Sequence, residues 1–99
     1  MEYYPDQTFF SQRLGQTLRL PQVGLSLEVV SCEDKGSTAA QSIFSVILRG
    51  PRPHYLPQRT YRIEGDGFEP FDLFIVPVGH DPQGIYYEAF FNRLLLPSS

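Results

Sequence analysis

From Arg59 to Asn92 the chain repeats a two-residue apolar rhythm, broken twice by short stretches containing glycine. That pattern constrains the fold more than any other feature, because side chains of a β-strand alternate between its two faces. Arg59 to Glu64 (RTYRIE) alternates with Tyr61 and Ile63 inward. Gly65-Asp66-Gly67 then reads as a hairpin turn, since Asp and Gly tolerate the positive φ that tight loops need. Phe68 to Val78 reads as the returning strand, with Pro70 near an edge or bulge. The almost uniformly apolar run Leu73 to Val78 predicts a strand covered on both faces. Gly79 to Gly84 forms the second turn, with Pro82 suited to its first central position. Ile85 to Asn92 (IYYEAFFN) completes a three-stranded meander.

The N-terminal half carries the same rhythm in shorter pieces. Thr17 to Leu20 alternates and stops at Pro21. Leu25, Leu27 and Val29 alternate with polar residues in a half-buried strand running to about Cys32. Glu33 to Gln41 is small and polar and reads as a loop. Ser42 to Arg49 (SIFSVILR) places Phe44, Val46 and Leu48 on one face and Ile43, Ser45 and Ile47 on the other, the mark of a central strand. Gly50-Pro51-Arg52-Pro53 ends it, because proline has no N–H for a ladder. Only Asp6 to Gly15 departs from the rhythm. Asp6 or Thr8 caps a short helix there, and Phe10 and Leu14, four residues apart, share a face. Two turns are too few to stand alone, so this helix is expected to be docked as a lid on one end of the β structure. The expected fold is therefore mainly β, a small antiparallel barrel or sandwich of about six strands, with a C-terminal three-stranded meander and one short N-terminal helix. The 99 residues fit a single domain over 1–99.

Charge and cysteine content narrow the chemistry. The net charge is −3, from 8 basic and 11 acidic residues without a basic run. Nucleic acid and anionic membrane surfaces are therefore not expected partners, since both require clustered positive charge. Cys32 is the sole cysteine, which rules out an internal disulfide and a thiolate metal cluster. The N-terminus lacks the basic and apolar regions of a secretory signal, so the expectation is a cytoplasmic protein, or one exported within an assembly without a cleaved signal.

Catalytic constellations are thin. Cys32 with His54 or His80 and an acid such as Asp72 contains the residue types of a nucleophilic triad, but Cys32 ends a strand without a glycine-rich elbow or helix N-terminus to activate it. His80 and Asp81 lie in a turn without ligand-type histidine spacing, and Glu64 and Glu69 flank a hairpin as solvated charges. No catalytic, cofactor or metal residues are assigned, and a non-enzymatic role is expected. Arg49, between a buried strand and a rigid loop, is a candidate for a structural ion pair with Glu88, or with Asp72.

The aromatic residues are more suggestive. Tyr3, Tyr4, Phe9 and Phe10 cluster near the N-terminus, and Tyr86, Tyr87, Phe90 and Phe91 lie on the last strand. Tyr86 and Phe90 point away from the face that carries Tyr87 and Phe91. One face fills the core; the other must be covered by the helix, by Leu94, Leu95 and Leu96, or by another protein. These seven residues, Tyr86, Tyr87, Phe90, Phe91, Leu94, Leu95 and Leu96, form the candidate interaction surface.

The segments Phe44 to Pro51, Leu56 to Ile63, Leu73 to Gly79 and Tyr87 to Asn92, together with Phe9 to Leu20, resemble a family of short bacterial proteins known only as a domain of unknown function. That resemblance implies a neighbourhood of phage-tail-collar-like proteins, and so a protein partner in a tail-like or collar-fibre assembly, or a second copy of the chain. It supplies no catalytic residues. The expected function is a protein-interaction module, the rivals being a small-ligand-binding β-barrel and a small hydrolase using Cys32 and a histidine.

Overall fold

The structure is a computed structural model that describes residues 5–95. Helix α1 (Gln7–Ser11) is followed by six strands: β1 (Thr17–Leu20), β2 (Leu25–Asp34), β3 (Gln41–Gly50), β4 (Arg59–Ile63), β5 (Phe71–Asp81) and β6 (Gly84–Leu94). They form one antiparallel sheet in the order β1-β2-β3-β6-β5-β4. The sheet curls until its edge strands meet. Arg19 and Glu64 exchange both backbone hydrogen bonds at 2.8 Å, and the Gln22 side chain accepts the Arg62 N–H at 2.7 Å. The result is a nearly closed barrel, which decides between barrel and sandwich.

The alternating residues meet inside. Leu18, Leu20, Leu27, Val29, Phe44, Val46, Leu48, Tyr61, Ile63, Leu73, Ile75, Tyr87 and Ala89 are all buried, one apolar face from each strand. Side chains therefore fill the barrel interior, as in other small barrels. Its two ends are plugged differently. At the upper end the loop after β3 tucks Leu56 inside. Its N–H donates to the Tyr87 hydroxyl at 3.0 Å, while the Tyr61 hydroxyl donates to Pro57 O at 2.7 Å. Burial pushes both phenols above their ordinary pKa. Replacing Tyr87 by Phe leaves the Leu56 N–H without its acceptor in a buried setting, and is expected to cost about 1–2 kcal/mol in a urea titration with little change in fold.

At the lower end α1 is the lid. The Asp6 carboxylate accepts the Phe9 N–H at 2.8 Å and caps it. Phe9 and Phe10 then enter an aromatic cluster. Phe9 meets Phe68 and Phe71 edge-on at 5.0 and 5.5 Å, and Phe44 stacks on Phe91 at 4.5 Å. Arg13 lies over the Phe9 ring, 3.9 Å from its centroid, a cation–π contact on the helix's outer side.

Several boundaries differ from the sequence reading. The helix stops at Ser11, and residues 12–15 continue as turns. Cross-strand pairing carries β2 through Asp34 and β5 through Asp81, so the two apparent loops shrink to residues 35–40 and 82–83. The β4–β5 connection is longer than a tight hairpin. Gly67 does take a positive φ of 83°, but Phe68 leaves the strand line to pack on Phe9 and Phe71, and β5 begins only at Phe71.

Candidate interaction surface

The outer face of the barrel is where the apolar residues exceed what the fold uses. On β6, Tyr87 and Ala89 point inward, and Phe91 does so at the rim. Tyr86, Glu88, Phe90 and Asn92 point outward, and Phe90 is 56% exposed. On β5, Phe71, Leu73 and Ile75 are buried while Phe74 between them is 50% exposed. Val76 is half-buried, and a register shift between Pro77 and Gly79 leaves Val78 exposed. On β3 the outward Ile43 and Ile47 are half-buried. Phe90 stands opposite Ser45, between the Ile43–Asn92 and Ile47–Glu88 pairs. The Ser45 hydroxyl donates to Glu88 at 2.6 Å, which holds that carboxylate flat in the middle of the face.

The strands beneath Phe74 and Phe90 separate. Pairing of β5 with β6 runs from Asp81↔Gly84 down to Val76↔Glu88 and stops. Below it, β5 pairs only with β4 and β6 only with β3. A cleft of about 320 Å³ opens there, with Leu73 and Phe74 on one side and Phe90 and Phe91 on the other. Its cause lies inside the barrel. The Phe10 ring sits between Phe71 of β5 at 6.3 Å and Phe91 of β6 at 5.4 Å, so the lid helix wedges the strands apart.

The seven residues expected to form the surface divide. Tyr87 is core, and its hydroxyl serves the Leu56 loop. Phe91 is partly buried against Phe44 and Phe10. Tyr86 is half-buried and donates to Asp81 at 2.9 Å, which holds the Asp81 carboxyl below its usual pKa. Phe90, Leu94 and Leu95 are exposed. Leu96, like Tyr3 and Tyr4, lies outside the described residues. The sequence reading also expected β5 to be covered on both faces, and it is not: Phe74 and Val78 are open to solvent. These two belong to the surface and were absent from the expected set. Their signal was the alternation itself, since a barrel buries one face of each strand and one short helix cannot cover the other.

The expected Arg49–Glu88 ion pair is not formed. Arg49 pairs with Glu28, its register partner on β2, and donates to Gln83 at 3.2 Å. On β6 Arg49 stands opposite Tyr86; Glu88 is two residues further along, opposite Ile47, and accepts from Ser45. Asp72, the other candidate, pairs with Arg62 at 3.3 Å. The nucleophilic set is also dispersed. Cys32 is level with Val46 and Ala89, and His80 with Ile85, four residues or roughly 13 Å along the strand. His54 lies in the upper loop after β3. Partial burial raises the Cys32 pKa, and the thiol contacts Gln7 O at 3.6 Å. Among the described residues, no three His, Cys, Asp or Glu side chains are grouped to hold a metal ion, and no helix is long and apolar enough to cross a membrane.

Compared with known families, residues 5–91 match the model of a domain of unknown function, DUF6916. The chain belongs to the DUF6916 family. The match runs from Pro5, just ahead of the lid helix, to Phe91 at the rim of β6. No curated protein matches it. No solved structure matches it.

Proposed function

We propose that this DUF6916 domain is a non-enzymatic protein-interaction module whose contact surface is the aromatic strip of Phe74 and Phe90 on the outer face of β5 and β6. One observation carries this reading. Two phenylalanines, each at least half exposed, flank an open cleft on a face with no covering element among the described residues. Exposed aromatics of this kind stand out on a small domain, and burying one at an interface gains about 2 kcal/mol. Val76 and Ile47 extend the strip, and Glu88, already bonded to Ser45, presents a half-satisfied acceptor at its centre. Such a pattern of aromatic anchors with a polar rim suits a protein partner better than a small ligand, because the barrel interior is filled by side chains. The tail-like or collar-fibre assembly implied by the sequence resemblance is the partner class we assign.

The test is residue-specific co-purification of the tagged chain from its native host. Phe74→Glu or Phe90→Lys is expected to reduce recovery of the partner at least about tenfold, as for loss of an interface hot spot. Leu14→Glu, an exposed apolar position at the far side of the lid, should leave recovery unchanged. Equal recovery from all three variants contradicts the assignment.

A further inference from the structure

The gap between β5 and β6 exposes backbone as well as side chains. Leu95 donates its N–H to Ala40 O at 2.8 Å, and the register then runs without interruption from Gln41↔Leu94 to Gly50↔Ile85. Alternation in an antiparallel pair turns the backbone groups of Phe91 and Arg93 toward β3, and those of Phe90, Asn92 and Leu94 away from it. The same alternation brings Glu88 into its pair with Val76, the last before the gap. Three consecutive outward N–H and C=O sets on β6 therefore have no strand partner among the described residues.

Edge strands are normally protected by charge, proline or a bulge. The outward positions of this stretch, Phe90, Asn92 and Leu94, carry neither charge nor proline, and its pairing with β3 is regular. Its one charged residue, Arg93, is on the opposite face, where it donates to Pro5 O at 3.0 Å. The stretch is also self-complementary. Set antiparallel to a second copy about Asn92, it pairs Phe90 with Leu94 twice and Asn92 with itself. Every one of the three donors and three acceptors on each copy then finds a partner. Phe90 and Leu94 are 56% and 67% exposed and would meet as aromatic–aliphatic cross-strand pairs. No charged side chain occupies these positions, so two chains of net charge −3 come together without like charges opposed across the axis.

We infer that the occupant of this edge is a second copy of the chain, joined by antiparallel β6–β6 pairing across a twofold axis into a continuous intermolecular sheet. The inference deepens the interaction-module reading and rests on it, since Phe90 serves both. Closed twofold pairing uses the edge up, which limits the assembly to a dimer.

Sedimentation velocity over a concentration series tests this. The wild type is expected to approach twice the 11.3 kDa of one chain. Asn92→Pro removes one outward N–H and the exposed Gln41 Nε2 bond to Asn92 Oδ1 but spares every backbone donor to β3, so the fold should survive while dimerisation weakens at least about a hundredfold. Phe90→Lys combined with Leu94→Lys opposes like charges across the axis and should also give monomers. This double variant serves as the deciding test if Asn92→Pro loses its native circular dichroism. Leu14→Glu, exposed and outside the strip and the cleft, should leave the dimer intact. A wild type that stays monomeric, or a lysine double variant that still dimerises, overturns the inference. A monomer that still captures a partner through Phe74 overturns edge pairing alone. A dimer without any Phe74-dependent partner retains edge pairing and removes the assigned partner class.

Discussion

Replacing Phe10 by Ala is expected to cost about 3–5 kcal/mol of stability, the range for deleting a fully buried aromatic ring. Phe10 is 0% exposed and touches Phe9, Phe44, Phe71 and Phe91. A five-residue helix cannot hold itself together, so its stability comes from this docking and from the Asp6 cap. The loss therefore falls on the whole lid. A second consequence separates this variant from an ordinary cavity. Without the wedge, β5 and β6 can approach below Val76↔Glu88, and the amides of Phe74 and Phe90 become able to pair across the seam. Thermal and urea unfolding read the first effect. Hydrogen exchange at the Phe74 and Asp72 amides, which face the seam from β5 and stay unpaired when β6 joins a second copy, reads the second: slower exchange in a less stable protein is the expected and distinctive outcome. Unchanged exchange at both amides would show that something other than Phe10 keeps the seam open.

How far this was legible in the sequence follows from what each residue's position depends on. Period-2 alternation depends on local geometry and on one buried side, so it located all six strands and the inward residues Phe44, Val46, Leu48, Tyr61 and Ile63. Three features depended on contacts distant in sequence. The ends of β2 and β5 are set by cross-strand hydrogen bonds, which draw Glu33, Asp34, His80 and Asp81 into strands despite their polarity. Phe68 reads as a strand residue, but an aromatic cluster built from α1 and β5 draws it away. Arg49 chose Glu28 over Glu88 because a strand register is not written in either strand alone. The candidate surface was half legible. Phe90 followed from alternation, and Leu94 and Leu95 from the run of leucines after the last strand, whereas Phe74 and Val78 were hidden in an apolar run that looks the same whether its outer face is covered or bare. The cleft between β5 and β6 had no sequence signal, since its wedge comes from a residue far along the chain from the strands it parts.

Gly84→Ala is expected to destabilise the domain by about 3 kcal/mol, at the upper end for overpacking a rigid site. Gly84 begins β6 beneath the two-residue turn after β5, and it is buried against the end of β3. A Cβ there would lie 2.5 Å from the Gly50 carbonyl oxygen and 2.8 Å from Arg49 Cγ. The arginine stem can shift, but its guanidinium is fixed by Glu28 and Gln83. The carbonyl belongs to the backbone at the top of the β3–β6 ladder, where Gly50 pairs with Ile85. Relief therefore requires β6 to move away from β3 at the end where the Tyr87 hydroxyl holds the Leu56 loop. Gly79, on the same hairpin, has open space around its Cβ position, so Gly79→Ala should change stability by less than about 1 kcal/mol. Comparing the two by chemical denaturation isolates the close approach from any general effect of adding a methyl group to this hairpin. Equal losses would place the cost in the turn and not in the packing of Gly84 on Gly50. A selective loss in Gly84→Ala, with faster exchange at the Leu56 amide, would show that the upper plug depends on how closely β3 and β6 can meet.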